Sequence, residues 1–141
     1  MNIGIIGTRK RDSQEDYDHT LSAFNSIIKQ YIHVGQIKGV EDIKIVSGGC
    51  PKGGDRFAEL IHTELDLKPE QLIIHLPEKP PIGSPKYMYV RSMHDRNDLI
   101  ARDSDVLLAV TDHGSKKGGT LYTIKKFKDV TPMGTLKCYQ I

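Results

Sequence analysis

The sequence predicts a doubly wound α/β domain, a Rossmann-like, mainly parallel sheet of about five strands with helices on both faces. Three observations point there. Short runs rich in β-branched residues alternate with longer amphipathic segments along the whole chain. Three of those runs end in loops that combine glycine with hydroxyls or cations. The 141 residues are enough to bury one core and too few for a second folding unit, so one domain over residues 1–141 is expected.

The elements follow in order. Asn2 to Ile6 reads as the first strand, closed by Gly7. A helix from Ser13 to about Gly35 opens on a capping box, Ser13 with Asp16. Tyr17, Leu21, Phe24, Ile28 and Tyr31 recur at three- and four-residue steps and mark its buried face. Ile43 to Ser47 is the second strand, and the turn Gly48 to Gly54 leads into a helix from about Asp55 to Leu65. Gln71 to Leu76 is the third strand. Pro77 to Arg91, with Pro77, Pro80, Pro81 and Pro85, reads as a long loop, and loops of that length in small domains are commonly functional. A helix around His94 to Asp103 precedes the fourth strand, Asp105 to Thr111. The loop Asp112 to Gly119 opens the helix Thr120 to Lys128, and Thr135 to Ile141 reads as a last strand. No repeat or low-complexity tract interrupts the pattern.

Composition narrows the function classes. Apolar residues at 38% and charged residues at 27% exclude a disordered chain. A formal net charge of +2 gives no bulk electrostatic case for nucleic-acid binding, so any basic character that matters is local. Cys50 and Cys138 lie far apart, with no CxxC and no Cys/His spacing suited to zinc, so neither a metal nor a cofactor is expected and a reducing setting is the simplest reading. The chain shows no signal-peptide pattern and no apolar run of membrane-spanning length, so no membrane partner and a cytoplasmic location are expected.

The chemistry is expected in three loops at the carboxyl ends of strands, where open parallel sheets bind ligands. They are Gly7-Thr8-Arg9-Lys10-Arg11, the run Gly48 to Arg56, and His113 to Thr120. Glycine lets a backbone approach a phosphate closely, and the following helix points free N–H groups at an anion. A glycine-rich strand-to-helix turn is often only a tight turn; three on one predicted edge favour an anion site. None is a Walker A loop, because Gly53-Gly54-Asp55 lacks the Lys-Ser/Thr pair, and strand one is not followed by G-x-G-x-x-G. The candidate ligand residues are therefore Gly7, Thr8 and Arg9; Ser47, Gly48, Gly49, Lys52, Gly53, Gly54, Asp55 and Arg56; and Gly118, Gly119 and Thr120. Asp55 opens a helix, so capping is its default role.

Met93-His94-Asp95-Arg96-Asn97 adds a further candidate. Arg96 suits forked binding of a phosphate, and Asn97 suits a ribose hydroxyl. The competing reading is a helix start capped by Ser92 or Asp95, with Arg96 a surface ion pair; on the binding reading, Arg96→Ala weakens ligand binding with little loss of fold. Tyr87 and Tyr89 suit either a stacking lid or loop packing. Cys50 reads as a small loop residue rather than a nucleophile, because no His or Asp can be placed beside it.

Ile5-Ile6-Gly7-Thr8-Arg9, Val46 to Gly49, Gly53 to Glu59, and Arg96 to Ala101 with Ser104-Asp105 occur in an order and spacing that resemble the SLOG superfamily. Within it the chain is most similar to small stand-alone bacterial and phage proteins called YspA-like, and the resemblance runs from strand one to about Lys128. It implies a Rossmann-like sheet binding a nucleotide or nucleotide-derived ligand, and a homo-oligomer paired through helices is compatible with it. Arg96-Asn97 and Gly119-Thr120-Leu121 resemble the DNA-processing protein A branch, which implies single-stranded DNA as a partner. Met93-His94-Asp95-Arg96 and Gly118-Gly119-Thr120 resemble the LONELY GUY branch, which implies hydrolysis of the N-glycosidic bond of nucleoside 5′-monophosphates with Arg96 as a catalytic residue. The glutamate of that branch falls on Thr123, which cannot act as a carboxylate. The same hydrolysis would need another acid, such as Asp112, Asp95 or Glu15. Binding alone, as sensor or sequestering protein, is thus the leading expectation.

Overall fold

The structure, a computed structural model, describes residues 1–141. Five strands run β1 (Asn2–Gly7), β2 (Lys44–Ser47), β3 (Leu72–Ile74), β4 (Val106–Val110) and β5 (Cys138–Gln140). Four helices connect them: α1 (Gln14–His33), α2 (Gly54–Glu64), α3 (Lys86–Asp103) and α4 (Gly119–Val130). All strands are parallel, in the order β3-β2-β1-β4-β5.

That order follows from burial. Val106-Leu107-Leu108-Ala109-Val110 is buried at every position, as a central strand covered on both faces must be. Odd positions of β1, Ile3 and Ile5, pack with Ile45 and Leu108 against Phe24 and Ile27 of α1 and Ile61 of α2. Ile6, Leu107 and Ala109 face the other way, onto Ile100 of α3 and Ile124 and Phe127 of α4. The chain winds outward from β1 through β2 to β3, then crosses back to β4 and β5. The right-handed crossover rule puts the two helix pairs on opposite faces. The direction of winding reverses between β1 and β4, and their carboxyl ends diverge there.

The capping box of α1 forms as expected. Ser13 Oγ accepts from the Asp16 amide at 3.1 Å, and Asp16 accepts from the Ser13 amide at 3.2 Å. On α1, Phe24, Ile28 and Tyr31 are buried, with Thr20 and Ile27 joining them, while Tyr17 and Leu21 pack at the margin.

The largest difference from the sequence reading lies before β4. The expected loop to Arg91 ends at Pro85, and α3 begins at Lys86. Pro85, with φ −59°, precedes the first turn and starts the helix rather than interrupting it. The buried face of α3 includes Arg96 and Asn97, so its apolar periodicity is weak. Tyr87 and Tyr89 are exposed on its first turn, and Ser92 and Asp95 lie inside it, where neither is a cap. The other boundaries differ by a few residues; the last strand shortens because Gly134–Lys137 forms a 3₁₀ turn. No helix is long and apolar enough to cross a membrane.

Candidate functional site

A cavity of about 460 Å³ opens where β1 and β4 diverge. The β1 loop supplies Gly7, Thr8, Arg9 and Lys10, and the β4 loop supplies Thr111, Asp112, Ser115 and Lys117. Gly118, Gly119 and Thr120 bring in the start of α4. Val90, Met93 and Asn97, spaced by three and four residues, line it from one face of α3, with His94 and Arg96 beside them.

The start of α4 is a set of free donors. Its first backbone bond runs from the Tyr122 amide to the Gly118 carbonyl at 3.0 Å, so the amides of Gly119, Thr120 and Leu121 have no helical partner. The positive end of the helix dipole adds to them. Asn97 lies against this turn and is only 5% exposed. Its Oδ1 accepts from Arg96 Nε at 2.9 Å, which turns Nδ2 toward Gly119, and the protein gives Nδ2 no acceptor. Thr123, on the next turn, uses its hydroxyl on the Gly119 carbonyl at 2.8 Å.

Arg96 is 8% exposed and makes no ion pair. Its Nη1 donates to the Gly48 carbonyl at 2.6 Å, and its Nη2 has no protein acceptor. A buried guanidinium normally meets a carboxylate, because desolvation of an unpaired charge is costly. Here it meets one carbonyl, one side-chain amide and the cleft, with the Asp55 carboxyl near enough to feel its charge but beyond ion-pair distance. The competing reading of Arg96 as a surface ion pair is corrected: it is buried and bridges α3 to the β2 loop.

The β2 loop is turned mostly to structural use. Asp12, from the β1 loop, accepts from the Gly53 amide and from Arg56 Nε, both at 2.7 Å. These bonds hold its carboxyl below the ordinary range, the Gly53 amide most of all, then Arg56. Gly53 is the N-cap of α2 at φ 72°, a left-handed conformation that favours glycine. A Cβ on Gly54 would land on the backbone of Ile6 and Gly7, so α2 rests directly on β1. Ser47, Gly48, Gly49, Lys52, Gly53, Gly54 and Arg56 therefore stay off the cleft lining, whereas Gly7, Thr8, Arg9, Asp55, Arg96, Asn97, Gly118, Gly119 and Thr120 are brought together on it.

Asp55 does not cap α2. It is 7% exposed, accepts from the Cys50 amide at 3.1 Å and lies 3.1 Å from Ser47 Oγ. Burial pushes its carboxyl up; the Cys50 amide, Arg96 and Ser47 oppose this only in part, and Glu59 adds to it. Ser47 has one hydroxyl proton, and the Ile5 carbonyl lies closer, at 2.7 Å.

Asp112 is the opposite case. Lys10 pairs with it at 3.2 Å, and bonds from Lys10 and the Gly114 amide hold its carboxyl low. Of the acids considered for hydrolysis, Asp112 lines the cleft, whereas Asp95 borders a neighbouring groove and Glu15 sits in the first turn of α1. His94 stacks on Tyr122, with ring centroids 4.1 Å apart and planes 3° from parallel, and Tyr122 donates to Asp98 at 2.8 Å. Thr111 and Val90 line the cleft without belonging to any of the candidate runs. The three- and four-residue spacing of Val90, Met93 and Asn97 was the available signal, hidden because a loop running to Arg91 takes in Val90.

No family model matches the chain, and neither a curated protein nor a solved structure matches it.

Proposed function

We propose that this chain binds a nucleotide or nucleotide-derived ligand and acts as a sensor or sequestering protein. The observation that carries the reading is Arg96, a buried guanidinium without a carboxylate partner at the edge of an open cleft. A phosphate beside it would accept from Arg96 Nη2, Asn97 Nδ2 and the free amides of Gly119 to Leu121. Charge-assisted bonds of this kind are roughly twice as strong as neutral ones. Val90, Met93 and Leu121 give the cleft an apolar side for the nucleoside, and Arg9 lines it too. The resemblance to the SLOG superfamily belongs to the same proposal. Calorimetric titration with the common nucleoside 5′-monophosphates and the matching nucleosides tests it. Monophosphates are expected to bind and nucleosides are not; equal behaviour of the two series would reject the phosphate site.

A second reading, hydrolysis of a nucleoside 5′-monophosphate, is favoured by one observation. Asp55 and Asp112 both line the cleft, with their carboxyls pushed in opposite directions. Such a pair suits one general acid and one general base. Release of free base during the same incubations would establish it, and its absence alongside binding leaves the first reading alone.

A further inference from the structure

Beside the cleft lies a second cavity of about 560 Å³, between the connection that follows β3 and the outer face of α3. Leu76 and the prolines after it form one wall, and Tyr87, Arg91 and Leu99 form the other. Three of these are apolar groups left in solvent: Leu76 is 69% exposed, Tyr87 67% and Leu99 48%. Lys79 and Arg91 border the same space and make no ion pair, while Glu78 and Asp95 keep it from being uniformly basic. An exposed aromatic ring beside unpaired cations suits a flat organic group that carries a negative charge.

The two cavities meet at one residue. Arg96 lines both, with the β2 loop beside it: Nη1 is fixed on the Gly48 carbonyl, and a Cβ on Gly49 would touch Leu76. Each cavity alone has the size of a small-molecule pocket, roughly 300–1,000 Å³. What joins them is a guanidinium with no carboxylate within ion-pair distance at their common edge, Asp55 acting on it only from farther off.

We propose that the two cavities are halves of one site and that its ligand is a dinucleotide, two nucleosides joined by a pyrophosphate. This rests on the nucleotide reading above. One nucleoside occupies the cleft of Val90 and Met93, with its phosphate at the start of α4. The pyrophosphate passes Arg96 toward Arg91, and the second nucleoside lies along Tyr87 and Leu99. The ligand thereby supplies a negative group in direct contact with Arg96.

The test is calorimetric titration of the full chain with the four common nucleoside 5′-monophosphates, their pyrophosphate-linked symmetric dinucleotides, and oligothymidylates of increasing length. Tyr87→Ala and Arg91→Ala serve as variants, since neither residue lines the cleft. The best dinucleotide is expected to bind at least about tenfold tighter than its mononucleotide, a gain of about 1.4 kcal/mol. Each variant is expected to remove most of that gain while mononucleotide affinity stays within about twofold. A dinucleotide no tighter than its mononucleotide would overturn this inference and leave the nucleotide reading standing. Equal weakening of both ligand classes by the variants would overturn it too, as would affinity that rises with oligothymidylate length and collapses with salt, the mark of nucleic-acid binding. If neither mononucleotide nor dinucleotide binds, the underlying reading itself fails.

Discussion

Asp55→Asn is expected to stabilise the protein at neutral pH. The carboxyl is 7% exposed, its Oδ2 accepts from the Cys50 amide, and its Oδ1 faces a Ser47 hydroxyl whose proton is directed to Ile5. An asparagine of the same shape keeps both contacts: Oδ1 accepts from Cys50, and Nδ2 donates to Ser47 Oγ. Only the buried charge disappears. Replacing buried ion pairs by well-packed neutral groups of similar volume is often neutral or stabilises by about 1–4 kcal/mol, and a buried carboxyl replaced by an isosteric amide that keeps its bonds follows the same direction. The lower end, about 1 kcal/mol, is expected because Arg96 favours the carboxylate, though less than burial disfavours it. The pH dependence identifies the cause. Because the folded-state value is raised, the unfolded chain loses the Asp55 proton first, from about the ordinary 3.8 upward. The folded state then holds the extra proton, so the stability contributed by this group falls as pH rises through that window and levels off above the folded value. The variant lacks this fall. Urea unfolding from pH 4 to 8 should show variant and parent nearly equal at the acid end and separating toward neutrality. A variant less stable than its parent at pH 7, or a difference independent of pH, would refute the reasoning.

Three further outcomes are expected. Gly54→Ala forces a methyl into the backbone of Ile6 and Gly7, so it should cost about 3 kcal/mol or more and lower the melting temperature by on the order of 10 °C in a thermal scan. Gly119→Ala should leave stability within about 0.5 kcal/mol, because the site is a helix start. Its Cβ would lie 3.3 Å from Asn97 Nδ2, so nucleotide affinity should fall about tenfold by calorimetry. Asp12→Asn should lower the urea midpoint at pH 7. Asp12 has a depressed folded-state value, so its contribution is present above the ordinary 3.8 and is lost as pH falls through the folded value. Variant and parent midpoints should therefore converge toward pH 2.

The sheet was legible in the sequence because β-branched runs and glycine punctuation agree with one another from Asn2 to Val110. The capping box at Ser13 needed no tertiary information, since both partners lie within one turn. The start of α3 was not legible, because its buried face is half polar and Pro85 looks the same whether it ends a loop or opens a helix. The site was legible by loop and not by residue. Gly7 to Arg9 and Gly118 to Thr120 line the cleft because their strands adjoin at the switch point. Asp12, 41 residues before Gly53 and 44 before Arg56, takes over the β2 loop through contacts that no local pattern encodes. The depth of Arg96 was hidden for the same reason, since its partner Gly48 lies 48 residues away.

The central claim is that a negative group sits where α4 begins, beside Arg96 and Asn97. Backbone amide and arginine Nε resonances, followed by two-dimensional NMR during titration with a nucleoside 5′-monophosphate, test it most directly. The largest shifts are expected at the amides of Gly119, Thr120 and Leu121 and at Arg96 Nε. Shifts concentrated between Gly48 and Arg56, with the α4 amides unmoved, would contradict it.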